Sequence, residues 1–365
     1  TNNSSPTMLT DVNGTLYFDA SPSNVLSYDL WKSDGTVAGT SIVKNLPVNS
    51  YGALLSFNNI LYFFDPAGNL WKSDGTETGT SIVKLFLTNS IITPIIYGNK
   101  FYFFQTTLAG SGMYKSDGTA AGTTFVSDKI NTSYLKVSGT TMFSTGSDTT
   151  NGNELWKTDG TMAGTVLVKN INTTIVNAGN SNPSFLTDVN GVLYFMANDG
   201  VNGNELWKSD GTDAGTVMVK NIGVGAAGIS TESMTNVNGV LYFTINQFDL
   251  WKSDGTAAGT VKVKGFGTIQ NLVNVNGTLF FAATDDVYAN ANAYGFELWK
   301  SDGTLAGTTM IKDINPGPTG SGMQELLAVG GTLYFSALNT ATGRELWKSD
   351  GTESGTTLIQ DRNLG

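Results

Sequence analysis

An all-β fold, an eight-bladed β-propeller of four-stranded antiparallel blades, is predicted by three features of the sequence. One motif recurs eight times through the 365 residues. Each recurrence carries four short apolar or alternating segments separated by turn residues, and no segment has helical periodicity. Four short strands per repeat of roughly 45 residues are the signature of a propeller blade.

The fifth copy is the clearest. Phe185–Val189 alternates apolar and polar residues and reads as a half-buried first strand. Asn190-Gly191 is a two-residue hairpin signal, because both central positions of a type I′ turn need positive φ. Val192–Ala197 is the second strand, apolar on both faces. A loop over Asn198–Asn204 leads to a third strand, Glu205–Lys208. An Asp-Gly-Thr-x-x-Gly-Thr hairpin then returns the chain as a fourth strand over Thr216–Ile222. The apolar runs favour a blade packed by a neighbour on each face over a single-layer coil.

The hairpin aspartates are Asp34, Asp74, Asp117, Asp159, Asp210, Asp254, Asp302 and Asp350. All seven tryptophans (Trp31, Trp71, Trp156, Trp207, Trp251, Trp299, Trp347) occupy one position of the unit, and Tyr114 fills the eighth. Both sets read as structural. Asp accepts backbone N–H groups two residues on while Gly supplies positive φ. A Trp beside Leu within a strand reads as packing between blades rather than a sugar-stacking ladder. The predicted organisation is one domain over 1–365, with blades at 1–46, 47–87, 88–130, 131–172, 173–222, 223–265, 266–314 and 315–365.

Composition narrows the function classes. A formal charge of −10 disfavours nucleic acid and anionic membrane surfaces, and no apolar run is long enough to span a bilayer. With no Cys and no His, thiol nucleophiles, disulfides, imidazole bases and Cys/His zinc sites are absent. Only Arg344 and Arg362 are arginines. No unique constellation breaks the repeat in a way that suggests acid–base chemistry, so the chain is expected not to be an enzyme.

In an up-and-down meander the two hairpin turns of each blade share one end, and the longer, variable connections share the other. Variable loops on a rigid scaffold are where ligand binding is expected. The longest second-to-third-strand loop offers Asp285, Asp286, Tyr288, Asn290, Asn292 and Tyr294 as ligand-binding candidates. Oxygen-rich sets at Asp199, Asn202, Asn204 and Glu205, and at Asp148, Asn151 and Glu154, carry the hard donors that suit calcium, without EF-hand spacing. No cofactor is required by the sequence; calcium is the ion these sets would take. The lysines repeated in the third and fourth strands are expected to pair with the repeated carboxylates.

Glu205–Thr212 reads Glu-Leu-Trp-Lys-Ser-Asp-Gly-Thr, and the same string recurs at Glu345–Thr352. The units thereby resemble the bacterial ELWxxDGT-repeat family over the whole chain. The resemblance implies a secreted or cell-surface propeller with kelch-like strand order, and it brings no catalytic residues. The expected role is an extracellular adhesion or assembly module whose partners are other proteins or its own copies, including a filament. The alternative is a lectin-like or calcium-dependent glycan binder, and the last choice a secreted glycan hydrolase.

Overall fold

The computed structural model describes residues 7–20, 29–45, 53–86, 94–107, 110–174, 179–285 and 295–360. They form eight separate four-stranded antiparallel sheets, each with its strands in chain order from one edge to the other. The first strands begin at Thr7, Leu54, Ile95, Ile130, Ser184, Met234, Thr268 and Gln324. The fold class is the one expected from the sequence: a β-propeller of eight four-stranded blades. Among the described residues the single helical element is a 3-10 turn at Gly225–Ala227, and no helix is long and apolar enough to cross a membrane.

The fifth blade shows how the sequence builds the sheet. Its strands are Ser184–Val189, Val192–Asn198, Asn204–Ser209 and Val217–Lys220. Asn190 (φ 53°) and Gly191 (φ 82°) make the type I′ turn that only such residues tolerate cheaply. Phe195 pairs with Trp207, and Met196 with Leu206. The fourth strand is shorter than its apolar run because the register slips between Leu206 and Trp207, leaving Val219 as an extra residue opposite them. This bulge recurs in the first, second, third, sixth, seventh and eighth blades. It bends the outer strand and turns its end.

The chain divides into two compact units, one of residues 1–137, 141–149 and 156–167, the other of 138–140, 150–155 and 168–365. Within the first unit, Tyr17 and Leu30 of one blade pack on Leu61 and Phe63 of the next. Further on, Tyr62 and Leu70 pack on Phe101 and Phe103. Within the second unit the scheme repeats, with Tyr194 and Leu206 on Leu241 and Phe243, and Leu250 on Leu279, Phe281 and Trp299. In each of these pairs a blade gives one face to the blade after it. A fully buried side chain of this size contributes roughly 1.5–3 kcal/mol, so these faces dominate the packing energy. First strands of successive blades adjoin, as at Thr7–Val12 beside Leu54–Phe57 and Met234–Val237 beside Thr268–Val275.

Candidate functional site

The hairpin end of each blade is consumed by its own hydrogen bonds. In the fifth copy the Asp210 carboxylate accepts from the Thr212 N–H and hydroxyl, at 2.8 and 2.7 Å. The Thr212 hydroxyl oxygen accepts from the Gly215 N–H at 2.9 Å, and Thr216 donates back to the Thr212 carbonyl at 2.6 Å. Ser209 accepts the Gly211 N–H and shares a hydrogen bond with Thr216. The same set recurs at Asp34, Asp74, Asp117, Asp159, Asp254, Asp302 and Asp350. A Cβ on Gly215 would run into the Asp210 carboxylate, which accounts for the second glycine of the motif. Where resolved, the shift follows: hydrogen bonds from Thr256 hold the Asp254 carboxyl below its ordinary pKa.

The third-strand lysines help to hold the hairpin carboxyls of the next blade below their ordinary pKa, as Lys208 does Asp254, but their hydrogen bonds go to backbone rather than to those carboxylates. The third-strand lysine donates to the hairpin Gly carbonyl of the next blade: Lys32 to Gly75, Lys115 to Gly160, Lys208 to Gly255 and Lys300 to Gly351, at 2.7–2.8 Å. The fourth-strand lysine takes the carbonyl at the close of that hairpin: Lys44 to Thr80, Lys84 to Thr123, Lys220 to Thr260 and Lys312 to Thr356. The second-strand tyrosine reaches the same glycine, as Tyr194 does Gly255 and Tyr242 does Gly303. Burial, and then the nearby Asp254, push the Tyr194 phenol pKa up. Lys262 and Asp249 form an ion pair at 2.7 Å; the Lys169–Asp213 and Lys129–Asp128 pairs involve carboxylates outside the repeated positions.

Several of the residues at the tryptophan position pack on the second-strand aromatic. Trp31 stacks on Phe18 and Trp71 on Phe63, and Tyr114 stacks on Phe103. Trp156, Trp207, Trp299 and Trp347 are buried, while Trp31, Trp71, Trp251 and Tyr114 are half-buried. The indole N–H of Trp31 donates to the Ala20 carbonyl, that of Trp71 to the Asp65 carboxylate and that of Trp299 to the Ala283 carbonyl.

At the opposite end the proposed calcium ligands meet the chain itself. The Glu205 carboxylate accepts the N–H groups of Ile222 and Gly223 at 2.8 and 2.7 Å. Glu154 accepts those of Ile171 and Asn172 together with the Ser181 hydroxyl. Glu297 accepts from Ile314 and Asn315. All three are fully buried, and burial raises their pKa values, that of Glu297 to about 7. Asp199 closes its own loop by accepting from Val201 and Asn202. Asn202 in turn accepts from Asn221, and Asn204 donates to the Ile229 carbonyl. Asp148 and Asn151 lie beside Glu154 in sequence, and Asn151 accepts from Asn170. No group of three or more acidic side chains fit to hold a metal ion is found among the described residues.

These bonds make the glutamates anchors for the loop leaving the fourth strand. The spacing of Glu205 from its acceptor-bound N–H groups, 17 and 18 residues on, is the signal that would have revealed them. The loop that Glu205 pins carries Val224, 96% exposed, and the loop that Asp199 closes before the third strand carries Val201, 66% exposed. Of the aromatic and Asn-rich loop expected to bind ligand, Asp285 accepts the Gly267 N–H through its carbonyl. Asp286, Tyr288, Asn290, Asn292 and Tyr294 lie outside the described residues.

No protein-family model matches the chain, and no curated protein matches it in sequence. Solved structures do match in fold. BamB from Moraxella catarrhalis is 15% identical with a TM-score of 0.50, the match covering 90% of each chain. A puromycin hydrolase is 12% identical with a TM-score of 0.50, over 99% of this chain and 54% of that one. A prolyl endopeptidase structure is 12% identical with a TM-score of 0.53, over 98% and 49%. The chain therefore spans about half the length of the hydrolases it matches.

These matches correct one expectation. The sequence reading set the chain apart from enzymes, yet its fold is shared with hydrolases, so the propeller does not separate it from them. At such identity the likeness is one of fold alone.

Proposed function

We propose that the chain is a protein-binding propeller of an extracellular or cell-surface assembly, engaging its partner through the loops opposite the hairpins. One observation carries this reading. The hairpin end of each blade is spent on bonds to itself and to the next blade, whereas the loop end is held rigid from beneath by Glu154, Glu205 and Glu297 and leaves its tips unspent. Rigid support under exposed apolar tips lowers the ordering cost of association. The acidic charge and the ELWxxDGT-like repeat support the extracellular part of the proposal and an adhesive or self-assembling role.

The test is capture of partners from a panel of surface proteins that includes the chain itself. Val201→Asp combined with Val224→Asp, at the exposed loop tips, should abolish capture, and Thr36→Ser, on the hairpin end, should leave it intact. Undiminished capture by the loop variant would remove the loop end from the proposal.

A further inference from the structure

The eighth blade differs from the other seven on one face. Leu346 is 50% exposed, whereas the residues at its place in the other blades, Leu30 in the first through Leu298 in the seventh, are fully buried. Val329 is 52% exposed against 4–6% for Val12, Val189, Val237 and Val275, and Ile359, at the place of Val43, is exposed as well. Tyr334 is half-buried where Tyr17, Tyr62, Tyr194 and Tyr242 are buried. These positions form the face that a blade gives to the blade after it, as Val12, Tyr17, Leu30 and Val43 do against Leu61 and Phe63.

The first blade is open on the face that mates with this one. Phe18 is half-buried, whereas Phe63, Phe243, Phe281 and Phe335 at the same place are buried against a preceding blade. The hairpin glycines differ in the same way. A Cβ on Gly75, Gly160, Gly255 or Gly303 would strike the tyrosine hydroxyl of the blade before, that of Tyr194 at 2.2 Å in the case of Gly255. A Cβ on Gly35 would meet nothing within 4 Å. A donor on the eighth blade is left over to match. Lys348 pairs with Tyr334 across its sheet as Lys208 does with Tyr194. Lys208 reaches the Gly255 carbonyl one blade on, while the Lys348 ammonium has no acceptor among the described residues.

We propose that the open face of the eighth blade binds the first blade of a second copy of this chain, head to tail. The contacts between successive blades show what such a face takes: the leucine and phenylalanine of a second strand, the residue at the tryptophan position, and a hairpin glycine. The first blade presents that set as Leu16, Phe18, Trp31 and Gly35. In the contact Tyr334 rests on Gly35 of the incoming copy, Lys348 donates to its Gly35 carbonyl, and Val329, Leu346 and Ile359 leave water. Burying apolar side chains of this size drives the association. The two copies use different surfaces and leave one of each unused, so the contact can propagate. It stands apart from the loop end and holds whether or not those loops take a partner.

Sedimentation velocity of the whole chain over a wide range of concentration reads the association, and species larger than a monomer that grow with concentration are expected. Leu346→Asp puts a charge on the open face of the eighth blade, at a side chain the fold leaves half exposed. Gly35→Asn keeps a residue that accepts positive φ and projects a side chain where Tyr334 of the other copy lands. Each variant alone should stay a monomer. An equal mixture of the two should form a dimer and nothing larger, because one intact face of each kind remains between them. Assembly undiminished in either variant, or a mixture that does not pair, overturns the proposal. So does an unaltered chain that stays monomeric throughout; a thermal midpoint lowered by Leu346→Asp would then give the face to an occupant within the same chain. Association lost only in the Val201→Asp, Val224→Asp double variant would place self-contact at the loop end instead.

Discussion

The Lys208 ammonium donates to the Gly255 carbonyl oxygen at 2.8 Å, joining the third strand of one blade to the hairpin of the next, 47 residues on. Tyr194 of the same donor blade lies against that glycine. Removing the donor leaves a carbonyl with no replacement in a part-buried place. Lys208→Met should therefore lower stability by about 1.5–3 kcal/mol, the range for a hydrogen bond to a charged group. Chemical denaturation of the two proteins measures it.

Gly255 has φ +86° and no room for a side chain beside the Tyr194 hydroxyl. Gly255→Ala should cost more than the ~1–2 kcal/mol of the left-handed backbone alone. Adding Tyr194→Phe should return the steric part and leave the backbone part. A double-mutant cycle reads the two separately.

Glu297 is buried, and its pKa is raised from 4.5 to about 7, first by burial and further by Asp313, against the lowering hydrogen bonds from Ile314, Asn315 and Ser321. Below the unfolded value both states hold the proton and the group is neutral to stability change with pH. Between the two values the folded state holds a proton that the unfolded state has released, so stability falls as pH rises, and above about 7 the loss is complete. Glu297→Gln should remove this dependence. Denaturation at about pH 5 and about pH 8 should show a larger drop for the unaltered protein than for the variant.

Phe185 sits at φ 55°, in the bulge between Ser184 and Thr187, and is 37% exposed. Met8, Asn271 and Glu325 hold the same place with φ 55–59° in three other blades. A bulky residue is strained there, and Glu325→Gly, at an exposed copy of the position where little burial is lost, should stabilise the protein by up to ~1 kcal/mol. A raised thermal midpoint checks it.

The blades, their turns and their faces were legible because each depends on neighbours in sequence. Asn190-Gly191 dictates its turn, Asp210 bonds to Thr212, and the Phe195–Trp207 pairing follows from adjoining apolar strands. What reaches across blades was not. Lys208 and Lys220 read equally well as partners of carboxylates, because charge alone does not reveal that a backbone carbonyl lies within reach. Glu205 looked like a metal ligand for the same reason: a carboxylate suits a cation and two N–H groups alike, and only the folded path of Ile222 and Gly223 decides between them. The bulge at Val219 left no mark because an apolar run keeps the same composition with or without an extra residue. Tyr114 was visible as a substitution, but the ring it meets edge-on, Phe86, comes from the preceding blade.

The lysine contacts also have a direction. Lys32, Lys115, Lys208 and Lys300 each reach forward along the chain, toward a hairpin synthesised later. During translation the donors of a blade therefore wait, hydrated, until the following 43–51 residues have left the ribosome. Each arriving hairpin then lands on cations already in place, so maturation trails synthesis by one module and runs from the amino end.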